Sequence, residues 1–319
     1  MSDRSAAPDW RRIALGGGAG MFVGMGIGRF SYTAMVPALV EAGSLSAVEA
    51  GNVGMLNLFG FMAGAALSAR LLRHAAARHV LAVAIIVACV ALAASAAPWG
   101  FAWLGAWRGL LGIATGIIMV LSLALIAATA PERQRPVAAS YVFAGVGLGV
   151  LSSGTLVPLL LSYGLAAAWS GLALAGLVGL GVAIWGWSAA PELPAAPTHE
   201  AATPIAWRLL AGLLVAHACF SLGIVPHTLY WVDFIVRGLN EGMAAGGLHW
   251  SLVGVFSVLG PWIAARLALG IGAKWALIVG FVCLGVGIGG PALWPALPVL
   301  IVSSMLFGAQ PGMSSLMAV

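Results

Sequence analysis

Charge is what this sequence most lacks. Its 319 residues carry 14 basic and nine acidic side chains, 7% in all, where a soluble domain carries about 25%. So few charges cannot cover a water-facing surface, and an ordinary soluble fold is excluded. Cysteine is equally scarce. Cys89, Cys219 and Cys283 stand singly inside apolar runs, without metal-ligand spacing or an evident pair, and read as small packing residues. Paired carboxylates, an H-E-x-x-H helix and a Walker motif are missing as well. Without them the sequence offers no hydrolytic enzyme, no ATP-driven pump, and no metal or cofactor site.

What remains is suited to hydrocarbon: 62% of residues are hydrophobic and the mean hydropathy is +1.06. Apolar runs of about 18 residues or more read as membrane-spanning helices. Backbone groups cannot stay unpaired in lipid, and runs without period-2 alternation do not make barrel strands. The expected fold class is therefore an all-α polytopic membrane protein. Its ten helices are predicted at 13–40, 46–71, 78–96, 99–128, 136–162, 165–188, 206–236, 246–269, 274–290 and 294–319. The opening MSDRSAAPDWRR precedes an apolar run too long for a cleavable signal, and no cleavage site closes it.

The basic residues fix an orientation. With the N-terminus in the cytoplasm, Arg4, Arg11, Arg12, Arg70, Arg73, Arg78, Arg133, Arg135, Arg208, Arg266 and Lys274 fall inside, and Arg237 alone falls outside. This is the positive-inside pattern, so the net charge of +5 needs no nucleic-acid partner. It implies a multi-pass protein of the cytoplasmic (inner) membrane with both termini cytoplasmic.

The one long polar connection, SAAPELPAAPTHEAATP (188–204), divides the chain into 1–188, a proline-rich linker at 189–205, and 206–319. The two parts resemble each other. GAALSARLLRHAAARHVL (64–81) aligns with GPWIAARLALGIGAKWAL (260–277) at an offset of 196, matching Gly64 to Gly260 and Arg70 to Arg266. The same offset places Gly51 on Gly247, Gly112 on Gly308 and Gly116 on Gly312. Such a register predicts two repeated six-helix halves. Val319 corresponds to Leu123, so roughly 65 residues of the first part have no partner, and two helices of the second half are expected to be missing.

GIGRFSYTAMVP (26–37), GFMAGAALSARLLR (60–73) and GIVPHTLYWVDFIVRGLN (223–240) resemble the major facilitator superfamily, and within it the YbfB/YjiJ-type branch. The resemblance implies a major facilitator fold and a secondary transporter that moves a small solute by alternating access. Gly64, Arg70 and Arg73 match the family's loop motif, but Ser68 stands where an aspartate is usual. Arg108 with Gly112 and Gly116 is similar to the R-x-x-x-G pattern of the fourth helix, while the fifth helix lacks the antiporter Gly-Pro pair. A truncated, non-transporting membrane protein or assembly partner is the alternative.

Gly16, Gly20, Gly24 and Gly28 recur every four residues and predict one ridge for close helix approach. Beside it Arg29 sits deep in the first helix, where a charge costs at least about 2.5 kcal/mol and should face a partner or a wet cavity. Its depth matches that of Arg108 and His227. Arg29 and Arg108 can hold a carboxylate or phosphate in fork geometry, or each can bond backbone carbonyls and tie helices together. His227, Tyr32, Thr33 and Gln310 complete the candidate substrate set, Gln310 in a polar stripe with Ser303 and Ser314. Asp233, His217 and His227 are the candidates for proton coupling, with Asp233 open to pairing with Arg237 instead. Trp231 and Trp250 read as interfacial anchors.

Overall fold

The computed structural model describes residues 9–191 and 207–317. Arg4 and most of the proline-rich connection lie outside the described residues. Those described are almost entirely helical, and ten helices are long and apolar enough to cross a membrane. They are α1 (Trp10–Glu41), α2 (Ala47–Leu71), α3 (Ala77–Ala94), α4 (Gly100–Thr129) and α5 (Arg135–Leu161). After them come α6 (Leu165–Trp187), α7 (Leu214–Gly238 as its apolar stretch), α8 (Gly242–Ile271), α9 (Ala273–Leu293) and α10 (Leu297–Ser314). Local chemistry sets the ends. Ser46 and Glu49 form a reciprocal capping box at the start of α2. Gly272, at φ 86°, supplies the left-handed turn between α8 and α9.

Glycine decides how the helices pack. A Cβ on Gly64 would lie 2.0 Å from the Ile113 carbonyl oxygen, one on Gly112 2.2 Å from that of Asn57, and one on Gly116 2.3 Å from that of Phe61. Only hydrogen at these positions lets α2 and α4 meet backbone to backbone. The same contacts recur 196 residues later between α8 and α10. There a Cβ on Gly260 would lie 2.6 Å from the Ala309 oxygen, one on Gly308 2.5 Å from that of Val253, and one on Gly312 2.4 Å from that of Gly260.

The α1 glycines behave differently from the single ridge predicted. Gly16 meets Gly186 and Trp187 of α6, Gly20 meets both Trp187 and Ile118 of α4, and Gly24 and Gly28 meet Thr115, Ile118 and Leu111 of α4. A second pair, Gly18 and Gly26, packs on Tyr141 and Gly149 of α5. A four-residue stripe drifts by about 40° per step around an α-helix of 3.6 residues per turn, and α1 also changes type: it is α-helical over Trp10–Met21, π-helical over Phe22–Phe30, and α-helical again over Ser31–Glu41. α10 is also interrupted, its helix running over Leu297–Gly308 and resuming at Pro311.

The first six helices and the last four join along two seams. α5 lies on α8, where Gly147 approaches the Val258 nitrogen and Gly154 that of Ser251. At the end of the bundle away from Trp10, the Thr33 hydroxyl donates to the Thr228 carbonyl, while Gly51 and Gly54 abut Tyr230 and Leu229.

Candidate functional site

The π-helical turn is where the candidate residues gather. A π turn shifts backbone bonding to i→i+5, and its carbonyls also take donors from outside the helix. α4 supplies them. The Thr115 hydroxyl is shared between the Gly24 carbonyl at 2.9 Å and the Leu111 carbonyl of its own helix at 2.8 Å, and Arg108 reaches the carbonyls of Gly28 at 2.7 Å and Arg29 at 3.1 Å. Arg108 is 1% exposed, with its guanidinium 4.8 Å from the Tyr32 ring and 5.8 Å from that of Trp169. Its two terminal nitrogens serve α1, while the buried Nε has no hydrogen-bond partner among the described residues. α2 joins the arrangement through Asn57, whose Nδ2 donates to the Arg108 carbonyl at 2.8 Å.

Arg29 is placed otherwise. Its backbone is held by Arg108, but its own guanidinium has no carboxylate or carbonyl partner among the described residues. It lies half-buried between two rings, 5.4 Å from Phe30 and 5.5 Å from Phe61. Cation–π contacts supply roughly 0.5–2 kcal/mol each. A bilayer charge costs at least about 2.5 kcal/mol, so the rings offset much of that cost while leaving every N–H of the fork free.

A chain of aromatic rings runs from this point into the last four helices. Phe30 meets Trp250 edge-on at 6.2 Å, Trp250 stacks over Phe307 at 6.5 Å, and Phe307 lies 5.2 Å from His227. His227 is stacked on Trp231 at 4.3 Å and bonded through Nε2 to Ser303 Oγ at 2.9 Å. The next serine serves as a node: Ser304 Oγ accepts from Trp231 Nε1 at 3.2 Å, lies 3.0 Å from His249 Nδ1, and donates to the Leu300 carbonyl. Trp250 Nε1 donates to Ser153 Oγ of α5 at 3.2 Å, across the seam. Trp231 and Trp250, 2% and 0% exposed, are therefore not interfacial anchors. Each finds in a serine the partner that a buried indole N–H requires. His249, Ser304 and Ser153 are members that sequence reasoning passed over. The Ser303–Ser304 pair, opposite two histidines and two tryptophans, was the available signal.

The remaining candidates divide. The hydroxyls of Tyr32 and Thr33 are engaged, the first with the Ala50 carbonyl at 2.8 Å and the second with that of Thr228. Gln310 sits at the break in α10, so the stripe from Ser303 to Ser314 is not one continuous helical face. Asp233 forms a two-point ion pair with Arg237, its second bond 2.6 Å long. His217 is exposed on α7, its ring 5.9 Å from that of Phe220. Arg70 and Arg73 are exposed at the end of α2.

Comparison with known proteins identifies the family and the fold. The sequence profile of the family described as uncharacterised MFS-type transporter YbfB matches residues 21–318. The chain belongs to the YbfB-type major facilitator family. A Haemophilus influenzae protein described as a metabolite transport protein is 29% identical over 278 residues, 80% of this chain and 67% of its own. Among solved structures, a D-xylose–proton symporter superposes with a TM-score of 0.65 at 18% identity, covering 95% of this chain and 79% of that one. An inward-facing bacterial homologue of the lysosomal transporter Spinster gives 0.64 at 16%, covering 96% and 74%. At such identities the structures establish the fold. This YbfB-type chain is thus a multi-pass transporter of the major facilitator fold and not an enzyme.

Proposed function

We propose that the YbfB-type chain moves a small organic anion across the cytoplasmic membrane by alternating access, with Arg29 as the anchor for the anion. The observation that carries this reading is the contrast between two deep arginines. Both terminal nitrogens of Arg108 donate to the Gly28 and Arg29 carbonyls, whereas the Arg29 guanidinium has no hydrogen-bonded or ion-paired protein partner among the described residues. A planar guanidinium with free N–H groups at low dielectric suits a carboxylate or phosphate. Tyr32, Thr33 and Gln310 border the site in this reading. The moving bodies are residues 1–188 and 206–319, joined by the linker at 189–205, with both termini on the cytoplasmic side. Thr33–Thr228 and the glycines beneath Leu229 and Tyr230 then close the outer end.

Of the three proton-coupling candidates we assign the role to His227. It lies between α7 and α10 on the aromatic chain and holds no ion pair, whereas Asp233 is already neutralised by Arg237 and His217 faces outward. Rearrangement of the two bodies would break or remake its bond to Ser303. Proteoliposomes containing the purified protein, assayed for uptake of radiolabelled organic anions under an imposed pH gradient, test both assignments. Uptake that is lost in Arg29→Gln and made insensitive to the gradient in His227→Gln supports them. Uptake of neutral or cationic solutes only, or gradient-driven uptake unaffected in His227→Gln, overturns the respective assignment.

A further inference from the structure

The face of α4 opposite Arg108 and Thr115 borders an apolar groove of about 300 Å³, formed with α3 and the end of α2. Leu110, Ile113 and Ile117 line one wall, and Val83 and Val87 line the other. From His79 to Val87 the α3 wall is about 12 Å long, and it carries almost no polar surface. Val83 is 61% exposed, so the groove opens sideways from the bundle toward lipid.

Its mouth is charged. Leu71, Ala75 and His79 end the groove at the turn between α2 and α3, where Arg70, Arg73, His74, Arg78 and His79 are all exposed. None of the three arginines has a hydrogen-bonded or ion-paired partner among the described residues. The turn offers nothing to neutralise them. Ser68, the nearest polar neighbour on α2, is fully buried and gives its hydroxyl to the Gly64 carbonyl at 2.9 Å. The sequence holds no acidic residue from Ala50 to Pro131. Glu132, on the next turn at this end, faces Arg135 at 4.0 Å.

We propose that this groove is a binding site for an anionic glycerophospholipid. One acyl chain lies between α3 and α4, and the phosphate-bearing headgroup sits among Arg70, Arg73 and Arg78. Charge complementarity selects the headgroup, because unpaired guanidiniums at the membrane surface attract anionic lipid. The groove distinguishes a held lipid from the loosely attracted lipid that any basic rim collects. The site is separate from Arg29 and does not depend on what the protein transports.

Delipidated protein in neutral detergent, titrated with phosphatidylglycerol or phosphatidylcholine of identical acyl chains and read by native mass spectrometry, tests the proposal. One phosphatidylglycerol should be retained in preference to phosphatidylcholine, each arginine being worth roughly fivefold. Arg70→Gln/Arg73→Gln/Arg78→Gln should abolish the preference. Val83→Trp, at a position 61% exposed, should fill the groove and abolish retention with the arginines intact and the melting temperature unchanged. Equal retention of the two lipids overturns the proposal, as does a preference that survives the triple substitution. Full retention in Val83→Trp overturns the groove, and displacement of the lipid by millimolar inorganic phosphate alone shows an anion site without a lipid site.

Discussion

Arg108→Lys tests how the π-helical turn is held. The substitution keeps the charge but replaces a flat two-point fork with a single compact ammonium. Arg108 now donates to the carbonyls of Gly28 and Arg29 from two different nitrogens, 2.7 and 3.1 Å away. A lysine can satisfy one of them. The loss is then one hydrogen bond from a charged donor, about 1.5–3 kcal/mol, plus part of the stacking on Tyr32 and Trp169, about 0.5–1 kcal/mol. The sum is roughly 2–4 kcal/mol, enough to lower the apparent melting temperature by several degrees without preventing folding. The location is more telling than the size. Hydrogen exchange read by mass spectrometry should quicken in peptides covering Phe22–Phe30, which lose their clamp, and stay unchanged in α8 and α9. Exchange unchanged in Phe22–Phe30, or raised evenly across the protein, would refute the view that Arg108 acts by pinning that turn.

Three further outcomes follow from the packing and the site. Gly64→Ala places a methyl 2.0 Å from the Ile113 carbonyl and must push α2 from α4, a destabilisation of at least about 1–3 kcal/mol, while Gly109→Ala, whose nearest neighbour is 3.8 Å away, should melt like the wild type. Asp233→Asn removes a partly exposed ion pair worth about 0.2–1 kcal/mol. Transport should survive it, and abolished transport in a folded Asp233→Asn protein would make Asp233 the coupling group. Ser304→Ala leaves the buried N–H of Trp231 and the His249 ring without their shared partner, at about 1–3 kcal/mol. The loss should appear as a lower melting temperature and a shifted tryptophan emission, and unchanged values would show that the node is not a structural element.

The helices were legible because lipid imposes a one-dimensional rule. Length and hydropathy placed ten spans within a few residues of those observed, with 46–71 predicted against Ala47–Leu71 and 165–188 against Leu165–Trp187. Arg29 stood out for the same reason, as a charge in a run that should hold none. Hydropathy cannot say which way a side chain faces, however. Trp231 and Trp250 look like anchors by composition, and only the serines of other helices show them to be interior. The π-helical turn was illegible because its donors, Arg108 and Thr115, come from another helix about 80–90 residues away. The break at Ala309–Gln310 likewise removed a polar stripe that a regular helix would have displayed.

The Arg29 guanidinium has only aromatic neighbours as partners among the described residues, and its binding chemistry is the most direct test. Purified protein would be screened by thermal stabilisation against a panel of organic carboxylates and phosphates, since a ligand that binds the folded state raises its stability. The best ligand would then be titrated calorimetrically into wild type, Arg29→Lys and Arg29→Gln. The prediction is an anion that binds wild type, binds Arg29→Lys more weakly, and loses about tenfold or more in Arg29→Gln, as removal of a charge-assisted bond requires, with all three proteins equally folded. An anion that binds Arg29→Gln as tightly as wild type, or an Arg29→Gln protein that no longer folds, would contradict it and leave Arg29 a structural residue.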